Sequence, residues 1–397
     1  MGQKLRPDDR SKRPTWPATL RKDHSGVTPN CITNRSRTRH RGRTNADRGA
    51  ASSTYGLFSM ELLSAPVPDE FRSLRRFALD DALLLFDRST GLNVLCDGPE
   101  YVGLRQKCPR VVQFGITNRC NMNCEFCSRD LASESRWTSD SAFLFLRDLA
   151  DRGVLEVAFG GGEPLVFPGF LDLVRRLHCE TPLAVNVTTN GLELTRAVLE
   201  TLAPRVGQLR LSLYEENDWR TRVALLAGSQ LRFGVNYLVT PERLADLELV
   251  VFEMVDLGCR DILLLSYNGE DPGLHLGPTE VAHLDRSVAT LSAALSTRAR
   301  ICLDVCWGSR LTSAPKLFDN DDCGAGREFM VVTSDHRVSP CSFHDDSERI
   351  TTADDALRAW ERMASDRAPS VTPGCARASD FGLPVATSVP VLMGGRS

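Results

Sequence analysis

The stretch VVQFGITNRCNMNCEFC runs from Val111 to Cys127. Its first seven residues, VVQFGIT, read as a strand. Three cysteines follow at once, Cys120, Cys124 and Cys127, at the spacing C-x3-C-x2-C. A closed structural metal site takes four ligands. Three thiols on one short loop leave two readings open. One is a zinc ion completed by a distant fourth ligand. The other is a [4Fe–4S] cluster that keeps one iron open to a substrate or cofactor.

From this strand an alternation runs toward the C-terminus. Strands are expected at 111–117, 154–160, 183–189, 209–214, 233–239 and 261–267. Helices are expected at 139–153, 168–178, 194–203, 217–227, 241–258 and 278–297. Ser139 reads as the N-cap of the first helix and Gly153 as its terminator. Six βα units in a row imply an α/β fold with a parallel sheet and helices outside it. Eight units close a full barrel, so six make either an open twisted sheet or a partial barrel. In both, ligands sit at the C-terminal ends of the strands. The cysteine loop is at that end of the first strand.

Other strand ends carry polar groups toward the same mouth. FGGGEP (Phe159 to Pro164) ends the second strand, and its glycines allow close backbone approach to a ligand. Glu163 offers an acceptor for an ammonium group. VTTNG, with Asn190 and Gly191, ends the third strand; Ser212 lies on the fourth and Asn236 on the fifth.

The order of CNMNCEFC, GGEP and TTNG on successive strands resembles the radical S-adenosylmethionine (radical SAM) enzymes over about residues 110–300. The resemblance implies a partial (β/α)6, TIM-like barrel. It implies that Cys120, Cys124 and Cys127 hold a [4Fe–4S] cluster, with S-adenosylmethionine on the fourth iron. It further implies that Phe126 lies near the adenine, that Gly161, Gly162 and Glu163 hold the methionine amine, and that Asn190 and Ser212 lie near the ribose or carboxylate. The activity implied is reductive cleavage of S-adenosylmethionine to a 5′-deoxyadenosyl radical, which takes a hydrogen atom from a substrate.

After residue 298 the alternation stops. ARICLDVC reads as one more strand, REFMVVTS and RVSPCSFH as a hairpin about Asp335-His336, and 352–365 as a helix. We expect a small cysteine-bearing α+β unit at 299–377, behind a core at 109–298. CGAGREFMVVTSDHRVSPCSFH resembles the twitch or SPASM auxiliary-cluster extension of such enzymes. That resemblance implies a second [4Fe–4S] cluster on Cys323, Cys341 and Cys375, with Cys306 or Cys302 as the fourth ligand. The chain lacks the C-x2-C-x5-C run of a full extension, so one auxiliary cluster is the most expected. Buried thiols or a zinc site are the bland alternatives. His336 and His344 read as surface turn residues.

The rest of the chain sets bounds. It has 397 residues, 42% of them apolar and 25% charged, ordinary for a globular protein. No apolar run approaches the roughly 20 residues that span a bilayer, and no secretory signal is visible. Thirteen cysteines, an odd number, fit a reducing cytoplasm better than a disulfide framework. Residues 1–50 hold thirteen Lys or Arg and four Asp or Glu. Residues 1–59 are expected to be disordered, 60–108 a lead-in hairpin and 378–397 a loose tail. A basic arm could bind nucleic acid or anionic lipid, but no groove-reading element accompanies it, and neither partner is expected. Translation starting at Met60 would remove the arm.

The function expected is hydrogen abstraction from a peptide or protein side chain, as in a peptide maturase. A flavodoxin or ferredoxin would supply electrons. A cofactor or small-molecule synthase of the molybdopterin-precursor type is the second enzyme reading, favoured by the near-terminal Gly pair of VLMGGRS. A non-catalytic iron–sulfur or zinc sensor is the third reading, and the intact GGEP argues against it.

Overall fold

The computed structural model describes residues 62–67, 69–127, 129, 134–308, 310–314, 323–344 and 346–366. The basic arm, Met60, Cys375 and the C-terminal tail lie outside them.

A three-stranded antiparallel sheet comes first: β1 (Arg75–Leu79), β2 (Ala82–Phe86) and β3 (Asn93–Asp97). β2 and β3 form the expected hairpin, its turn held by Asp87, which accepts from Ser89 and Thr90. β1 was not expected, because paired arginines open it. Those arginines serve as ties. Arg76 donates to the carbonyls of Leu62, Leu63 and Ala65, and Arg75 to that of Ala150.

The main sheet follows. Its parallel strands are β4 (Val111–Thr117), β5 (Glu156–Gly161), β6 (Ala184–Thr189), β7 (Gln208–Ser212), β8 (Phe233–Val239), β9 (Asp261–Ser266) and β10 (Arg300–Leu303). Between them run α1 (Ser139–Asp151), α2 (Phe170–Glu180), α3 (Arg196–Leu202), α4 (Trp219–Ala227), α5 (Pro241–Leu244), α6 (Leu247–Asp256) and α7 (Pro278–Leu295). The order β10-β9-β8-β7-β6-β5-β4 runs across the sheet without returning on itself. This is the mixed α/β fold with the strand order of a partial TIM-like barrel.

Two local expectations are corrected. Thr138, not Ser139, caps α1, its hydroxyl accepting from the Ser141 amide at 3.1 Å. The helix expected over 241–258 breaks into α5 and α6. The Tyr237 hydroxyl donates to the Arg243 carbonyl at 2.7 Å, taking the acceptor that a continuous helix would use.

Among the described residues after 298, the strands join the core sheet. β10 pairs with β9 at one edge of the sheet. β11 (Phe329–Val332) pairs in parallel with β4 at the other, followed by β12 (Arg337–Ser339), β13 (Glu348–Arg349) and the helix α8 (Ala353–Asp366). The physical reason is burial. All four residues of β11 are buried, as are the last three of β10, and neither strand could satisfy its backbone alone.

The two sheet faces differ. β4 sends Phe114 to the helix layer, 5.0 Å from Trp137 and 6.1 Å from Phe145 between ring centroids, and β5 sends Phe159 to Phe170 at 5.2 Å. Strand alternation turns Gly115, Gly160, Arg210, Ser212, Gly234 and Asn236 to the inner face. Gly115 pairs with Gly160, Arg210 with Gly234, and Ser212 with Asn236. The interior is therefore small and polar, and a Cβ at Gly160 would meet no heavy atom within 4 Å.

Asp261 organises the floor of this interior. It accepts from Arg210 at 2.9 Å, Gln208 at 3.1 Å and Arg300 at 2.6 Å. Burial alone would raise its pKa, but Arg210 and Arg300 hold it below the usual carboxylate range. Removing the carboxylate strands a nearly buried Arg210, so Asp261→Ala is expected to cost about 3 kcal/mol by urea denaturation near pH 7. The folded pKa is depressed, so this stabilisation is complete above the unfolded value of about 3.9 and fades as pH falls through the folded pKa. The gap between wild type and variant should close in acid. A gap independent of pH would contradict the ion-pair account.

Candidate active site

The cysteine loop leaves β4 at Thr117 and is stitched to the end of β5. Gly162 N donates to Thr117 O at 2.6 Å, and Glu163 N to Arg119 O at 2.8 Å. The glycines serve this close approach of two backbones. Gly161 has φ +115°, and a Cβ there would lie 2.5 Å from Thr117 O; one at Gly162 would lie 2.0 Å from Arg119 O. The glycine whose missing side chain faces open space is Gly160.

Glu163 is 1% exposed. Its carboxylate accepts from the Leu165 amide at 3.0 Å, the Thr189 hydroxyl at 2.8 Å and the Asn190 amide at 2.7 Å. Burial pushes its pKa up against these hydrogen bonds. A carboxylate offers about four acceptor positions, so roughly one remains for a ligand.

Asn190 links three loops. Its side-chain amide donates to Asn121 at 2.8 Å and approaches the Cys120 sulfur at 3.8 Å, while its carbonyl accepts from Asn217 at 2.6 Å. Phe126 packs on Tyr214, with ring centroids 5.0 Å apart. Burial pushes the Tyr214 phenol up to about 12, opposed by a hydrogen bond from Ser212. Phe126, Gly161, Gly162, Glu163, Asn190 and Ser212 are thus gathered about the end of the first four core strands.

The sequence reading missed Tyr214 and Asn217. Asn217 is fully buried and donates to both Asn190 O and Ser212 O, the latter at 2.7 Å. The signal was an aromatic and an amide directly after the polar strand end LRLS. Asn217→Ala leaves two buried carbonyls without donors and is expected to cost about 3 kcal/mol in chemical denaturation. A loss below about 0.5 kcal/mol would contradict that role.

Cys120 and Cys124 are partly buried and Cys127 is exposed. Burial pushes the Cys124 thiol up to about 11, and the charges of Cys127 and Cys120 push the same way. Three thiolates that repel one another in a half-buried loop are relieved by a cationic centre, which deprotonates its thiol ligands outright. This donor set, the space at Gly160 and the spare acceptor of Glu163 fit a thiolate-bound cluster with a small polar cofactor beside it. Among the described residues no three His, Cys, Asp or Glu side chains are gathered closely enough to hold a metal ion. Ligands of a cluster bind separate irons and stand further apart than those of one ion.

The C-terminal cysteines divide. Cys323 and Cys341 both pack against Val111, Ala325 and Phe329. Phe329 pairs with Val111, the first residue of β4, so this pair lies at the opposite end of β4 from the core cysteine loop. Seven strand residues span about 20 Å. Cys306 follows β10 on the other edge of the sheet, Cys302 is buried within β10, and Cys375 lies outside the described residues. His336 is not a free turn residue. Its ring centroid lies 3.9 Å from that of Trp137 at an interplanar angle of 40°, because the β11–β12 turn packs on residues 134–137.

Residues 114–215 match the model of the Radical SAM superfamily. The match spans 102 of the chain's 397 residues. The PqqA peptide cyclase of Gluconobacter oxydans is 27% identical over 258 residues, covering 57% of this chain and 68% of that protein. The molybdenum cofactor biosynthesis protein 1 of Mus musculus is 30% identical over 107 residues, covering 25% of this chain but only 16% of that protein. Among solved structures, Streptococcus suis SuiB superposes with a TM-score of 0.59 at 14% identity, covering 73% of this chain and 87% of SuiB. SuiB has also been solved bound to a precursor peptide, SuiA (TM-score 0.55). The radical SAM family implies a [4Fe–4S] cluster and S-adenosylmethionine. No described helix is long and apolar enough to cross a membrane.

Proposed function

We propose that this chain is a radical SAM enzyme acting on a peptide or protein side chain. One observation carries the reading: the three-cysteine loop, GGEP and TTNG converge at the mouth of a partial barrel whose interior stays open beside Gly160. The similarity to a peptide cyclase over 68% of its length favours a peptide over a nucleotide substrate.

Cys120, Cys124 and Cys127 would hold the cluster. When bound, the cluster and S-adenosylmethionine supply a one-electron cleavage that yields a hydrogen-abstracting radical. The chain does the rest. Glu163 keeps an acceptor at the base of the mouth and fixes the Asn190 backbone. Asn190 and Asn217 hold the cysteine loop to the ends of β6 and β7. Phe126 and Tyr214 wall the site with rings and help to exclude water. Electrons would come from a flavodoxin or ferredoxin. We place a second cluster on Cys323 and Cys341 with Cys375. About eight irons per loaded chain support it, and about four leave only the core cluster.

The substrate class is tested with the loaded enzyme, dithionite and S-adenosylmethionine. A short peptide encoded beside the gene is offered in one reaction and GTP in another. A mass change in the peptide supports the reading. Consumption of GTP with an unchanged peptide overturns it in favour of the cofactor-synthesis alternative.

A further inference from the structure

Arg129 lies two residues beyond Cys127, and its guanidinium points into the barrel. A Cβ on Gly115, on the inner face of β4, would lie 3.1 Å from Arg129 Nη1 and 3.5 Å from the Val332 carbonyl oxygen. The guanidinium therefore sits where β4 meets β11, in the space a side chain at Gly115 would fill. Among the described residues no carboxylate pairs with it. Arg210 offers the contrast, since its guanidinium is met by Asp261 at 2.9 Å.

A half-buried guanidinium turned into the barrel without a counter-charge is costly, and arginine does not shed its proton to escape that cost. The sequence nonetheless keeps one, and keeps Gly115 small beside it. An anionic group carried by the cysteine loop resolves this. A cluster on three thiolates is such a group, and it becomes more negative when reduced.

We propose that Arg129 is a positioning charge for the core cluster, stabilising the reduced form and raising its reduction potential. The inference rests on the radical SAM reading of Cys120, Cys124 and Cys127. The redox step is the uptake of one electron by the cluster from a low-potential donor, or from dithionite in the assay. No bond forms or breaks at Arg129, and its proton stays in place.

The test is an EPR-monitored redox titration of the full chain, reconstituted anaerobically, with Arg129→Gln, Arg129→Met and Arg129→Lys beside the wild type. The neutral variants should lower the midpoint so that the reduced-to-oxidised ratio at the wild-type midpoint falls about tenfold, or 59 mV for a one-electron couple. Arg129→Lys, which keeps the charge, should recover most of that. A purely packing role predicts no such order. If neither neutral variant holds a cluster while Arg129→Lys does, the counter-charge role stands. A neutral variant with full iron and the wild-type midpoint overturns it, as does failure of Arg129→Lys to load along with the neutral pair. Failure of the wild type to hold any [4Fe–4S] cluster overturns the functional reading beneath it, and this inference with it.

Discussion

Cys124→Ala is expected to reduce 5′-deoxyadenosine formation to background and to prevent stable loading of the core cluster. Cys124 is the middle thiol of the loop and feels the charges of both Cys120 and Cys127. A [4Fe–4S] cluster takes four ligands, and on the proposed assignment this loop would give three, leaving one iron for the cofactor. Losing one more leaves two protein ligands and no defined open iron. The fold should survive, because Cys124 contributes to none of the hydrophobic core clusters. Far-ultraviolet circular dichroism and the urea midpoint should stay near wild type while iron content falls. Turnover that survives the substitution would refute the ligand assignment.

Gly162→Ala should be nearly as damaging, by another route. The added Cβ would lie 2.0 Å from Arg119 O, 2.6 Å from Arg119 C and 2.8 Å from Asn118 C, all backbone atoms. No rotamer change relieves that. The hydrogen bonds from Gly162 N and Glu163 N to the start of the cysteine loop must give way. A cost of about 3 kcal/mol is expected in chemical denaturation, together with loss of cluster binding. Gly160→Ala is the control, because its Cβ meets nothing within 4 Å. It should leave stability within about 0.5 kcal/mol of wild type and weaken only what the open interior binds. Equal losses in the two variants would contradict the division between a stitching glycine and a ligand-facing one.

The six core strands were legible because each carries buried apolar residues toward the helix layer and is ended by Gly, Asn or a polar loop. The motifs were legible for the same reason, since they sit where the runs stop. What the sequence hid was pairing at a distance. β11 lies more than two hundred residues beyond its partner β4, and nothing local in FMVV says which edge it joins. β10 looked like the start of a new unit because the helical pattern ends before it. Asn217 and Tyr214 were missed because their roles depend on how neighbouring loops meet. Arg129 belongs to no periodic element, and its meaning comes from a glycine on the adjacent strand. GGEP was read as a cradle for a ligand, and the structure places its Gly161 and Gly162 first against the cysteine loop's own backbone.

The central claim is that this mouth cleaves S-adenosylmethionine reductively. The direct measurement is 5′-deoxyadenosine by liquid chromatography and mass spectrometry, after anaerobic reconstitution of the full chain and addition of dithionite and S-adenosylmethionine. The account predicts product that depends on the cluster, on reductant and on Cys124. No product above the cluster-free control, from protein with a full complement of core iron, would contradict it.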